Sequence, residues 1–117
     1  MKVIVFVKAT AETEVEAVGT EEDAAAMDKF NEELNKAGIV LEVGGLQPSS
    51  KGVRLHFTGR FDNKETRVID GPFTETKELV AGFWIWQVRS LEEAIEWAKR
   101  CPTPTGSEGV LELRPIM

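Results

Sequence analysis

Residues 68–86 read VIDGPFTETKELVAGFWIW, and this stretch sets the plan of the chain. A loop opens at Gly71-Pro72, because proline fixes its own φ and glycine tolerates conformations that other residues avoid. The segment that follows is apolar on both faces of the strand that it predicts, with Leu79, Ala81, Phe83 and Ile85 on one face and Val80, Gly82, Trp84 and Trp86 on the other. Such a strand needs cover on both sides, so the stretch predicts the centre of a sheet.

Length and composition predict one domain, and the net charge argues against a negatively charged partner. A chain of 117 residues, 42% hydrophobic, forms a single unit over 1–117 with one core. The net charge of -6 argues against nucleic acid and anionic membranes, which select clustered Lys and Arg. One cysteine and one histidine form neither an internal disulfide nor a Cys/His metal site. We therefore expect no metal or other cofactor, and a reducing, cytoplasmic setting.

Two helices and several strands are predicted around the opening stretch. The β-branched run 3–7 predicts a central strand. Capping boxes at Thr20 and Ser90 begin two helices, the first ending at Gly38 and the second before Pro102. Alternation predicts further strands over 39–46, 53–58, 65–70 and 110–114. Within the predicted strands, Gly44-Gly45 indicates a bulge or a close backbone approach, and Gly82 indicates a site that admits a neighbouring side chain or backbone.

The order of these elements predicts an α+β fold. Two helices on one face of an antiparallel sheet give a ferredoxin-like layout. Because the helices cover only one face, while runs 3–7 and 79–88 are apolar on both, a broad apolar face is left open. A second copy covering it would make a homodimer with a closed, dimeric α+β barrel and a cleft lined by that face. The alternative is a longer loop folded over the sheet.

The only histidine and the loop aspartate are candidate catalytic residues, since a His/carboxylate pair is the simplest acid-base unit near neutral pH. A hairpin loop over 62–64 would place His56 opposite Asp70, whereas a turn at Asn63-Lys64 would shift the register and separate them. His56 is otherwise a half-exposed strand residue. Asp70 is otherwise a turn-former that accepts backbone N–H bonds after Gly71.

Other candidates lie just beyond this turn. Thr74 and Glu78 offer polar atoms to a small ligand and Lys77 a positive charge, although mixed charge is also typical of a solvated loop. Trp84 and Trp86 either line an apolar pocket or anchor the core. Cys101 follows a helix and lacks the positive helix end that activates thiols, so we expect no nucleophilic role for it.

Several motifs together resemble a known family. The Asp70-Gly71-Pro72-Phe73 turn, the ETKE run over 75–78 and the GFW strand over 82–84 look like the DGPF-domain branch of the YCII-related family. The GLQP turn over 45–48, the EAIEWA helix over 93–98 and the RPI ending over 114–116 extend the match over nearly the whole chain. The resemblance implies a ferredoxin-like fold assembled as a dimeric α+β barrel, in a family largely without assigned activity. Some relatives accompany extracytoplasmic-function sigma factors.

One departure from the family bears on catalysis. Other YCII relatives are suspected of using a His/Asp pair whose histidine lies near the first helix, and the resemblance places their aspartate at Asp70. Residues 20–37 contain no histidine, and His56 lies on a different predicted element. Two functions therefore stay open. One is an acid-base enzyme on a small polar or aromatic molecule, with Asp70 as base and Lys77 as charge stabiliser. The other is a non-catalytic dimeric module that reads a metabolite or a transcription component.

Overall fold

A computed structural model describes residues 1–10, 20–73, 79–103 and 109–117. The fold is α+β, with two helices and an antiparallel sheet. The elements in chain order are β1 (Lys2–Ala9), α1 (Glu21–Ala37), β2 (Val40–Gly45), a 3-10 turn (Ser49–Lys51), β3 (Val53–Arg60), β4 (Asn63–Asp70), β5 (Leu79–Gln87), α2 (Leu91–Lys99) and β6 (Leu111–Pro115). The predicted strands and helices are all present, with ends shifted by a few residues.

Both helix starts are capped as their sequences predict. Thr20 accepts a hydrogen bond from the Asp23 amide, and the Asp23 carboxylate accepts one from the Thr20 amide, which completes a capping box. Ser90 likewise accepts from the Glu93 amide at the start of α2. α1 ends at Gly38, whose φ of 72° is the left-handed conformation that glycine adopts without strain.

Four strands form one sheet in the order β2-β5-β1-β6, and every neighbouring pair is antiparallel. β1 and β5 are central, as their two-sided apolar character predicts, and β6 lies at an edge. Helices α1 and α2 pack on the same face of this sheet. The core between them consists of Val3, Val5, Phe30, Leu34, Ile39, Trp84, Trp86, Val88 and Ala94.

The alternation predicted for β5 is wrong at its first residues. The register with β1 shifts between Val7 and Lys8, so that Val7 pairs with Gly82 and Lys8 with Val80, which leaves Ala81 as an extra residue. An extra residue reverses which face the preceding side chains occupy. Leu79 is therefore buried on the helix side with the tryptophans, and Val80 joins Phe83 and Ile85 on the open face.

The sheet face opposite the helices has an apolar centre and a charged border. Ile4 pairs with Ile85 and Phe6 with Phe83 across the two central strands, and all four side chains are half-buried. On this face the edge strands present charges instead. Glu42 pairs with Ile85, Glu112 with Phe6 and Arg114 with Ile4. We call these residues, together with Val80 and Lys8, the open face.

Strands β3 and β4 form a separate two-stranded hairpin, the arm. Nearly all of its residues are exposed, including Leu55, Phe57 and Val68. The radius of gyration is 16.4 Å, against roughly 13–14 Å for a compact domain of this length. The arm thus projects from the sheet and gives the molecule its elongated outline of 48 × 34 × 18 Å.

Candidate functional site

The arm's register separates the predicted acid-base pair. Its connecting loop is Phe61-Asp62, so Val53 pairs with Asp70 and His56 with Arg67. Neither of the two registers considered from the sequence occurs. Asp70 lies three residues along β4 from Arg67, the partner of His56, and an odd separation along a strand places side chains on opposite faces of the arm. Three residue steps also separate them, about 10 Å along the strand. The pairing of His56 with Asp70 is therefore wrong.

The turn after Asp70 is built on a tight backbone contact. Peptide Gly71-Pro72 is cis. The Gly71 amide donates to the Gly52 carbonyl at 3.0 Å, and the Phe73 amide donates to the Ser49 hydroxyl at 3.2 Å. A Cβ on Gly71 would lie 1.8 Å from the Ser49 carbonyl oxygen. Gly71 is required here because the 3-10 turn packs directly against its Cα.

A cleft opens between this turn, the end of β2 and the start of β5. Its volume is about 610 Å³, within the range of small-molecule pockets. Its walls combine apolar and polar side chains from segments distant in sequence. The lining residues described are Gly45, Leu46, Gln47, Pro48, Ser49, Lys51, Gly52, Arg54, Phe73, Leu79 and Val80. We call this space the turn cleft.

Arg54 and Phe73 contact each other in the turn cleft. The Arg54 guanidinium carbon lies 3.9 Å from the centre of the Phe73 ring, a cation-π stack, and both side chains are half-buried. Phe73 is in turn positioned by the hydrogen bond that its backbone N–H donates to the Ser49 hydroxyl. Within the described parts of the chain neither Arg54 nor Lys51 forms an ion pair.

Several predicted site residues lie elsewhere or outside the structure's description. Asp70 and His56 are exposed on the arm and do not line the turn cleft. Trp84 and Trp86 lie in the core, 3% and 0% exposed, and the Trp84 indole donates to Asn31 at 2.9 Å. They match the core alternative rather than the pocket. Thr74, Lys77 and Glu78 fall outside the described residues, so their roles stay predictions.

The sequence reasoning missed Lys51, Arg54 and Phe73. Arg54 shares the polar face of β3 with His56. The alternation of polar and apolar residues in β3 could therefore have identified Arg54 as a candidate. What distinguishes Arg54 is its place at the start of the strand, directly after the 3-10 turn that contacts Gly71. Position along the strand therefore decided which polar residue faces the cleft.

A second cleft, of about 320 Å³, lies between α2 and β6 and contains Cys101. Burial raises the pKa of the Cys101 thiol to about 11, so the thiolate needed for nucleophilic attack is scarce near neutral pH. The thiol also contacts the Pro102 carbonyl at 3.2 Å. These features agree with the prediction that Cys101 is no nucleophile, and they make this cleft the weaker candidate site.

Metal-binding clusters and membrane-spanning helices are absent from the described ranges. No group of three or more His, Cys, Asp or Glu side chains that could hold a metal ion occurs in them. Neither helix there has the length and apolar character needed to cross a membrane.

Fold and site together define an α+β domain with an open apolar sheet face and a mixed cleft beside its central turn. The model of the YCII-related domain matches residues 1–117. An uncharacterised protein of Rhizobium meliloti (strain 1021) is 34% identical over 108 residues, which cover 90% of this chain and 84% of that protein. The chain belongs to the YCII-related domain family.

Proposed function

We propose that the protein is a non-catalytic, small-molecule-binding homodimer whose ligand occupies the turn cleft. The observation that carries the proposal is the cleft itself, bounded by the Gly71–Phe73 turn and lined by both apolar and polar side chains. Asp70 is exposed rather than enclosed, and His56 lies on the other face of the arm. Acid-base catalysis by these two residues therefore has no geometric support.

The open face supports the proposed homodimer. Its apolar centre, Ile4, Phe6, Phe83 and Ile85, is bordered by charges on both edge strands, which is the arrangement of an interface core with a polar rim. Val80 belongs to the open face and also lines the turn cleft. A second copy on the open face would thus border the ligand site.

The same features support finer proposals about the topology, the family branch and the cellular setting. The strand order β2-β5-β1-β6 with one helix after β1 and one after β5 supports a ferredoxin-like topology. The tight contact of Gly71 with Ser49 supports the DGPF branch, because packing at this turn then requires the glycine of the DGPF motif. A single free cysteine supports a cytoplasmic setting. A role beside an extracytoplasmic-function sigma factor would follow from the DGPF resemblance, and ligand-dependent binding to such a factor would test it.

Amide resonances of the full chain, followed during titration with a panel of small aromatic and polar compounds, test the binding function. We expect saturable shifts at Gly52, Phe73 and Val80, while amides near His56 stay unchanged. The proposal would be wrong if no compound shifted the cleft amides.

The substitution Asp70→Asn separates binding from catalysis. It keeps an acceptor oxygen and the preference for turns, so we expect unfolding free energy to change by less than about 1 kcal/mol and cleft binding to persist. Chemical denaturation and the same titration measure both. A turnover that wild type performs on any of these compounds and Asp70→Asn abolishes would instead establish the acid-base enzyme.

A further inference from the structure

We infer that the ligand of the turn cleft is an amphipathic organic anion, with a carboxylate bound by Arg54 and an apolar body against the cleft wall; this inference rests on the proposed binding function. The lining that the structure describes contains two cationic side chains, Lys51 and Arg54, and no carboxylate. The whole chain has 20 acidic against 14 basic residues. A cationic cleft on an acidic protein marks a local preference for negative charge.

The stacking of Arg54 defines how an anion would be held. The guanidinium carbon lies over the Phe73 ring at 3.9 Å, a distance at which a planar guanidinium stacks face-on and keeps the N–H groups of its edge available to an anion. A carboxylate accepts two parallel hydrogen bonds from such an edge, a geometry that lysine cannot offer. A half-buried guanidinium also loses hydration, and an anionic partner compensates that loss.

The apolar part of the ligand follows from the rest of the lining. Leu46 and Val80 form an aliphatic wall, and Phe73 adds an aromatic one. A bare inorganic anion would leave this surface wet, whereas an aryl or alkyl carboxylate would cover it and gain free energy from apolar burial. Lys51, which is exposed, adds a second positive charge to the same cleft.

Benzoate, benzyl alcohol and inorganic phosphate separate these contributions. We expect benzoate to shift the Gly52 and Phe73 amides saturably, with benzyl alcohol and phosphate each binding at least about tenfold more weakly. Benzoate affinity should fall as salt rises, because the attraction between the charges is screened.

Matched variants locate the anion contact. Arg54→Gln should lower benzoate affinity about tenfold or more, and Lys51→Gln by roughly two- to threefold. Arg67→Gln removes a charge from the same arm face, outside the cleft, and should leave affinity unchanged. Each variant's amide spectrum verifies its fold.

The outcomes distinguish the two proposals. If benzyl alcohol binds the cleft as tightly as benzoate and Arg54→Gln changes nothing, the anionic ligand is wrong but the binding cleft stands. If phosphate binds as well as benzoate, the apolar body is wrong. If none of the three probes shifts the cleft amides, the inferred ligand class is overturned, and the broader compound panel then decides the binding function separately.

Discussion

Gly71 shows how a single absent side chain fixes the central turn. The Ser49 carbonyl occupies the space where a Cβ would stand, and this contact joins the 3-10 turn to the end of the arm. Both walls of the turn cleft depend on that junction, because Ser49 positions Phe73 and Gly52 accepts from Gly71.

The substitution Gly71→Ala should therefore destabilise the protein by about 1–3 kcal/mol, the usual cost of forcing atoms into a packed site. Urea denaturation measures it. Gly45→Ala is the matched control, since nothing lies within 4 Å of a Cβ at Gly45. Equal stability of the two variants would mean that the turn moves freely away from Gly71.

Cys101 gives a prediction about pH. Its folded pKa, about 11, is above the ordinary 9.0, so the folded protein retains a proton that the unfolded chain has lost. The contribution to stability is fully present below pH 9 and is lost as pH rises toward 11. Wild type should thus lose stability over that interval relative to Cys101→Ala.

The same shift slows alkylation of the thiol. At pH 8 the folded protein carries roughly a hundredfold less thiolate than an ordinary cysteine, so iodoacetamide should react correspondingly slowly until denaturant is added. Mass spectrometry over time measures both rates. Rapid labelling of the folded protein would show that Cys101 is exposed to solvent.

Among the elements, the pairing of β2 with β5 depends on two glycines that face different neighbours. At Gly44 a Cβ would lie 2.8 Å from the Phe83 ring, and at Gly82 it would lie 3.0 Å from the Gly44 carbonyl oxygen. The close approach predicted at Gly82 is confirmed, whereas Gly44 meets a side chain instead of the predicted backbone and a Cβ at Gly45 would have nothing within 4 Å. The bulge in β2 lies instead near Leu41, where the register with β5 shifts between Val40 and Glu42.

We expect Gly82→Val to lower the melting temperature by several degrees, because the added methyl groups meet backbone atoms of β2 that cannot rotate aside. Ala81→Val is the control, since Ala81 is exposed at the irregularity of the same strand. Thermal denaturation of both variants provides the comparison. An unchanged melting temperature for Gly82→Val would show that β2 shifts without cost.

On the scale of the whole molecule, the open face is the surface through which the proposed homodimer would form. Ile85 lies near its centre, opposite Ile4 and next to Glu42. Apolar central strands bordered by charged edge strands bury well against an identical face turned by a two-fold axis.

Wild type should sediment as a dimer at micromolar concentration, and Ile85→Lys as a monomer, because the two-fold axis would bring two buried charges together. Ile95→Lys, at an exposed position beside the cleft between α2 and β6 and away from the open face, should stay dimeric. Sedimentation velocity distinguishes these states. A monomeric wild type would contradict the proposed homodimer. Ligand binding in the turn cleft could still be tested within one chain.

Local sequence determined much of this fold. Capping residues at Thr20 and Ser90 begin the helices, Gly38 ends the first, and two-sided apolar runs identify the central strands β1 and β5. These features depend on residues within one or two turns of one another, so spacing alone carries them.

Tertiary structure decided the register and the site. A loop at Phe61-Asp62, rather than over 62–64 or at Asn63-Lys64, moved His56 away from Asp70. One extra residue at Ala81 exchanged the faces of Leu79 and Val80. A register shift of one residue moves every side chain of a strand to the other face of the sheet, and neither composition nor hydrophobic period reveals such a shift. The turn cleft likewise joins residues 45–54, 73 and 79–80, which only the folding of the chain brings together.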